Sequence, residues 1–188
     1  IGQREIRLAF VPNQPLVSMR PVDRVNEVVS TPQNRVFAVT ERKPDQIERL
    51  VLLAATPRFV RGAQWDCGID AAVLDDFARG LAYDYRATLQ RFLALQARGD
   101  AHPRIVLRRL REHILARGEP DVAALGAELR LLKETDLRDR LERITPPALI
   151  LHGERDTLVP VAAGAYLQRV LPHATLEVFA GTGHAPFI

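Results

Sequence analysis

The spacing of apolar residues changes several times along the chain, and each change predicts a different element. Residues 50–55 (Leu-Val-Leu-Leu-Ala-Ala) form an unbroken apolar run of strand length, the pattern of a buried strand. From Ile69 to Arg138 the apolar positions recur instead at three- and four-residue steps. Leu74, Phe77, Leu81 and Tyr85 begin this series, and Leu89, Phe92, Leu93, Val106, Leu107 and Leu110 continue it, which predicts helices. Pro103 and the stretch Gly118-Glu119-Pro120 separate them, and residues 123–134 form another amphipathic run. Two short apolar runs follow at 148–151 and 175–179, with strand length and composition. Between them, residues 161–171 have helical spacing and stop at Pro172. A strand, a helix and a second strand in succession favour a parallel sheet.

The stretch from residue 1 to residue 34 carries no repeat. Residues 6–11 have the composition of a short strand, after which Pro12, Pro15, Pro21 and Pro32 interrupt any long element. Residues 36–41 read as the end of a helix broken at Lys43-Pro44. Residues 56–68 read as a loop in which Trp65 is the anchor and Cys67 fills space. Residues 136–143 lead back toward the sheet, and Thr145-Pro146-Pro147 introduces the next strand. The expected organisation is an unassigned segment at 1–35, a first core segment at 36–68, a helical block at 69–138 and a second core segment at 139–188.

Composition narrows this picture. The chain has 188 residues, of which 47% are hydrophobic, enough for one domain with a buried core. No apolar run approaches the roughly 20 residues of a membrane helix, and no charged-then-apolar segment opens the sequence. No membrane association is expected. The single cysteine excludes an internal disulfide and a cysteine-built metal cluster, and fits the cytoplasm. The sequence begins at Ile1 rather than Met, which suggests that its true start lies elsewhere.

Candidate chemistry lies just past the two late strands. Asp156 follows the first, in Gly-Glu-Arg-Asp-Thr-Leu-Val-Pro, and His184 follows the second, in Gly-Thr-Gly-His-Ala-Pro-Phe. In open α/β sheets, sites form beyond the carboxyl ends of the strands. These loops resemble the acid and base loops of the α/β-hydrolase family, in which the chain order is Ser, Asp, His. The resemblance implies an α/β fold, a mainly parallel sheet with an inserted helical lid, incomplete here at both ends. It implies that Asp156 orients His184, and that His184 is the general base toward a serine. The nucleophilic serine is not found: the only serines, Ser18 and Ser30, lack the flanking glycines of the Gly-x-Ser-x-Gly elbow. The text from Arg42 to Pro57 looks like the family's segment just after the nucleophile helix. A fragment, a disrupted frame and a replaced N-terminus all account for this.

The helical block concentrates positive charge in Arg86, Arg91, Arg98, Arg104, Arg108, Arg109, Arg111 and Arg117. Arg104, Arg108 and Arg111 stand three or four apart and share a helix face. No pattern of stacking aromatics accompanies the charge, so no nucleic-acid partner is expected. The phrases Arg-Phe-Leu-Ala-Leu-Gln-Ala-Arg-Gly, Leu-Lys-Glu-Thr-Asp-Leu-Arg and Gly-His-Ala-Pro-Phe-Ile resemble the pimeloyl-acyl-carrier protein methyl ester esterases of biotin synthesis. In that family, lid arginines hold an acidic acyl-carrier protein that bears an acyl methyl ester. The resemblance places this role on Arg91, Arg104 and Arg108, and places Phe92 near the acyl chain. A further family arginine falls on Ala87, with Arg86 beside it. No cofactor and no metal are implied. Another α/β-hydrolase (a generic carboxylesterase, a lactonase or a haloperoxidase-like enzyme) and a non-catalytic carrier-binding remnant are the alternative readings.

Overall fold

The computed structural model describes residues 5–10, 47–115 and 122–188. Four parallel strands form one sheet in the order β1 (Glu5–Phe10), β2 (Ile47–Leu53), β3 (Ala148–Gly153) and β4 (Ala174–Phe179). All three pairings are parallel, so all four strands present their carboxyl ends at one edge of the sheet. At that edge Phe10 pairs with Leu53, Leu53 with Leu151, and Gly153 with Phe179. The strand expected at 6–11 is present one residue earlier, beside β2. The helix end expected at 36–41 lies outside the described residues, as do Ser18, Ser30, Arg117 and the Gly118-Glu119-Pro120 break.

The apolar run at 50–55 belongs to β2, but the strand ends at Leu53. Ala54 takes a left-handed backbone (φ 47°) that terminates it. Leu50, Leu52 and Ile150 are fully buried and face α5 (Val161–Val170), whose Leu167 is equally buried. Leu171, Leu141 and Ile144 join this core, Leu141 from a 3-10 turn at Arg138–Arg143 and Ile144 from the residue that caps it as the chain returns to the sheet. The opposite face of the sheet differs from the two-sided burial that its apolar runs suggest. Leu149 and Phe179 are exposed, 37% and 40%, because successive strand residues alternate faces and α5 covers only one. Leu167→Ala is expected to destabilise the fold by about 2–5 kcal/mol, the usual range for deleting a fully buried leucine side chain. A thermal or denaturant melt measures it.

Four helices lie between β2 and β3: α1 (Ala71–Tyr83), α2 (Tyr85–Ala97), α3 (Pro103–Leu115) and α4 (Val122–Glu134). The continuous spacing from Leu74 to Tyr85 hides a break at Asp84. Its backbone N–H donates to Gly80 O and closes α1, while its carboxylate accepts from Ala87 N and opens α2. Asp70 caps α1 in the same way, accepting from Ala72 N at 2.8 Å.

Two further apolar clusters tie this block down. Trp65, Phe59 and Leu74 pack with Leu129 and Leu132 of α4 and with Leu158, Val159 and Ala163. Trp65 is an anchor, as expected. Its Nε1 donates to Arg58 O at 2.9 Å, and its ring meets Tyr166 edge-on at 5.0 Å. Behind it, Asp136 accepts from Arg138 and Arg58, and these guanidinium bonds hold its carboxyl down to about 2. The third cluster joins Leu93 and Ala97 of α2 to Val106 and Leu110 of α3, and takes in Ala185, the residue after His184.

Candidate active site

Parallel register delivers two loops to the same sheet edge. The loop after β3 carries Asp156, and the loop after β4 carries His184. They approach closely because Gly153 has no side chain. A Cβ there would lie well inside contact distance of the Gly183 carbonyl and 2.5 Å from that of Thr182. Three bonds stitch the loops together. Glu154 N donates to Phe179 O at 3.0 Å, Arg155 N donates to Thr182 O at 2.9 Å, and Gly181 N donates to a Glu154 carboxylate oxygen at 2.8 Å.

The structure brings Asp156 and His184 together. His184 Nδ1 lies 2.7 Å from Asp156 Oδ2, with both residues buried. The other carboxylate oxygen, Oδ1, accepts from Leu158 N at 2.9 Å and Val159 N at 2.8 Å. One oxygen is thus committed to its own loop and the other to the imidazole. A charge-assisted bond of this length fixes the ring and its tautomer, with the proton on Nδ1, and leaves Nε2 as the proton acceptor.

A second histidine lies behind the pair. His152, the fifth residue of β3, is fully buried. Its Nε2 stands 2.8 Å from Val159 O and 3.5 Å from Asp156 Oδ2, and its Nδ1 has no partner among the described residues. Burial pushes its pKa below the usual histidine value, against the opposing pull of the Val159 carbonyl and Asp156. Neutral His152 therefore donates Nε2–H to Val159 O, and its approach to Asp156 is not an ion pair. A base whose pKa is lowered on folding stabilises the fold above its unfolded pKa of about 6.5, and that contribution disappears as pH falls toward the folded value. The melting temperature is expected to fall between pH 7.5 and 5.5, and the fall should shrink in His152→Gln, which does not titrate. One such proton changes stability by up to about 1.4 kcal/mol per pH unit. Sequence spacing missed His152; its one signal is a polar side chain inside the apolar run 148–151 and the glycine that follows.

The arginines sit on the helical block. Arg91 of α2 and Arg104 at the start of α3 line one cavity of about 740 Å³, with Phe77, Leu95, Arg98 and Leu107 among its walls. Arg108 lines a neighbouring recess with Arg104 and Arg111, and Arg108 Nε stands 3.9 Å from Glu112. Arg91 donates to Thr88 Oγ1 at 3.1 Å. Phe92 lies on the inner side of α2, buried, with its ring edge-on to Phe77 at 5.7 Å. It lines a small recess beside Leu125 and Leu129, not the arginine-rimmed cavity. Among the described residues, no helix is long and apolar enough to cross a membrane, and no group of three or more His, Cys, Asp or Glu side chains is placed to hold a metal.

Residues 35–188 match the family described as alpha/beta hydrolase fold. Among curated relatives, the chain is 48% identical over 143 residues to the pimeloyl-acyl-carrier protein methyl ester esterase of Xanthomonas campestris, covering 76% of this chain and 56% of that protein. It is 42% identical over 145 residues to the enzyme of the same name from Nitrosomonas europaea, covering 77% of this chain and 58% of that protein. The chain therefore spans a little over half the length of these relatives. Among solved structures, an esterase from Exiguobacterium antarcticum superposes with a TM-score of 0.67 at 25% identity, over 76% of this chain and 52% of its own.

Proposed function

Because the chain belongs to the α/β-hydrolase family, we propose that Asp156 and His184 are the acid and base of a carboxylic ester hydrolase whose substrate is pimeloyl-acyl-carrier protein methyl ester. The observation that carries this reading is the buried 2.7 Å bond between His184 Nδ1 and Asp156 Oδ2 at the carboxyl edge of a parallel sheet. In the reaction, His184 Nε2 takes the hydroxyl proton of a serine as that oxygen attacks the ester carbonyl. Asp156 stabilises the imidazolium. Collapse of the tetrahedral intermediate expels methanol, which takes the proton back from Nε2. Water, deprotonated by the same nitrogen, then hydrolyses the acyl-serine to the free carboxylate. No step calls for a metal or cofactor.

The substrate assignment rests on the two relatives' names and on the arginine-rimmed cavity. In this reading, residues 69–138 are a lid over core segments 36–68 and 139–188, and Arg91, Arg104 and Arg108 receive an acidic carrier protein. Phe92 acts through Phe77, which borders both its own recess and the cavity. A second reading follows from the sequence: with no Gly-x-Ser-x-Gly in its 188 residues, the chain binds the carrier without turning it over. One preparation decides between them, assayed for methanol release from the carrier-bound methyl ester and for carrier binding. Binding is expected to weaken with added salt. Arg104→Glu with Arg108→Glu is expected to weaken it by about 1–3 kcal/mol, since exposed pairs contribute roughly 0–1 kcal/mol each and reversal adds repulsion. Binding indifferent to salt and to both reversals would remove the carrier from the reading and leave a generic esterase.

A further inference from the structure

The base loop is held from two sides by carboxylates acting on alternate backbone amides. Glu154, from the acid loop, accepts from Gly181 N at 2.8 Å. Asp100, from the turn between α2 and α3, accepts from Gly183 N at 3.0 Å through Oδ2, one residue before His184. Its other oxygen accepts from His102 N at 2.7 Å, which pins the turn itself. A third bond joins the same segments, Ala101 N to Gly181 O at 2.8 Å. Gly99 adopts φ +86° and packs so closely on Arg155 O that a Cβ there would collide with it. Ala185, on the other side of His184, is buried among Leu93, Ala97, Val106 and Leu110 of α2 and α3. The helical block thus touches the base loop both before and after His184.

From this geometry we infer that Asp100 is a positioning residue for His184: the helical block, through this carboxylate, sets the orientation in which the imidazole meets Asp156. This rests on the reading of His184 as the general base. The core alone does not hold the loop in the same way. Glu154 reaches only Gly181, and two glycines, Gly181 (φ +69°) and Gly183, flank Thr182 ahead of the histidine. Glycine restricts the backbone least, so the peptide before His184 depends on external bonds for its direction. The Asp100 bond to Gly183 N is such a bond. The turn that supplies it also forms, through Arg98 and Gly99, part of the wall of the 740 Å³ cavity. The cavity wall at residues 98–99 and the bonds to the base loop from residues 100–101 are therefore consecutive in one turn.

Asp100→Ser tests this. Serine keeps a side-chain oxygen for the His102 amide, so the turn stays capped, but it is too short to hold Gly183 as well. The probe is the His184 Nδ1–H proton in the NMR spectrum of the chain, assigned by its loss in His184→Ala. The parent is expected to show it protected from exchange with water. Asp100→Ser should broaden it beyond detection at the same temperature and pH. Leu129→Ala, which loosens the helical block in a cluster that contains no residue of the base loop, should lower the melting temperature and leave the resonance in place. A resonance unchanged in Asp100→Ser, lost equally in Leu129→Ala or unprotected in the parent would overturn the inference. None of these readings needs turnover. A chain that fails to bind the carrier protein counts against the proposed function alone, and a failed Asp100 series counts against Asp100 alone.

Discussion

An elbow of the family type, Gly-x-Ser-x-Gly followed by a helix, placed directly after Phe10 in exchange for residues 11–35, is expected to produce an esterase. Its turnover should fall by about 10,000-fold or more when His184 is replaced by alanine. The reasoning begins with register. β1 runs parallel to β2, and Phe10 pairs with Leu53 at the edge where β3 and β4 release Asp156 and His184. A strand-to-helix turn at that point raises its serine above the sheet on the side of the acid–base pair. The parent has two serines, neither within Gly-x-Ser-x-Gly, and is expected to give no measurable methanol release. Ser18→Ala with Ser30→Ala should then change nothing in the assay. Asp156→Asn in the hybrid should cost a comparable factor, because the amide favours the wrong imidazole tautomer. Parent turnover that disappears with either serine would show that the nucleophile lies in the segment ahead of residue 36. Hybrid turnover indifferent to His184→Ala would remove the acid–base assignment.

The second large effect is expected from Gly153→Ala, a change of one methyl group. The added carbon would lie against the carbonyls of Gly183 and Thr182, and both belong to backbone that cannot swing aside. Thr182 O already accepts from Arg155 N, and Gly183 N is held by Asp100. The acid and base loops must therefore part. Overpacking of this kind costs roughly 1–3 kcal/mol, which for a chain of this size lowers the melting temperature by about 3–10 °C. The consequence at the site should exceed the consequence for the fold. Separation of the loops lengthens the His184–Asp156 bond, so the protected His184 proton should vanish while the circular dichroism spectrum stays close to that of the parent. Gly164→Ala is the control for burial alone. It sits on α5, where a Cβ would meet His152 Nδ1 at 2.9 Å and the end of Leu176 at 3.2 Å, both side-chain atoms. It should cost stability with a smaller change at His184.

The sequence by itself determined a good deal. The change of apolar period marks β2, the helical block, β3, α5 and β4, because a buried strand and a half-buried helix need different spacings to place side chains on a core. The positions of Asp156 and His184 were legible too, since each follows a strand of a strand–helix–strand unit and such units put those ends on one edge. Other features belong to tertiary structure alone. The break at Asp84 is hidden in an unbroken helical spacing, because one aspartate closes one helix and opens the next without interrupting the apolar series. Phe92 and Arg91 are adjacent in sequence yet line different recesses, Phe92 the one beside Leu125 and Leu129 and Arg91 the larger cavity. His152 reads as an exception within a strand until its ring is seen between Val159 O and Asp156. Asp100 and Gly183 are separated by 83 residues, and no local spacing links them. Periodicity reports which way a side chain faces relative to its own element. Which distant loop it then meets depends on how the helical block settles onto the sheet edge, and that packing placed Asp100 against Gly183, one residue from His184.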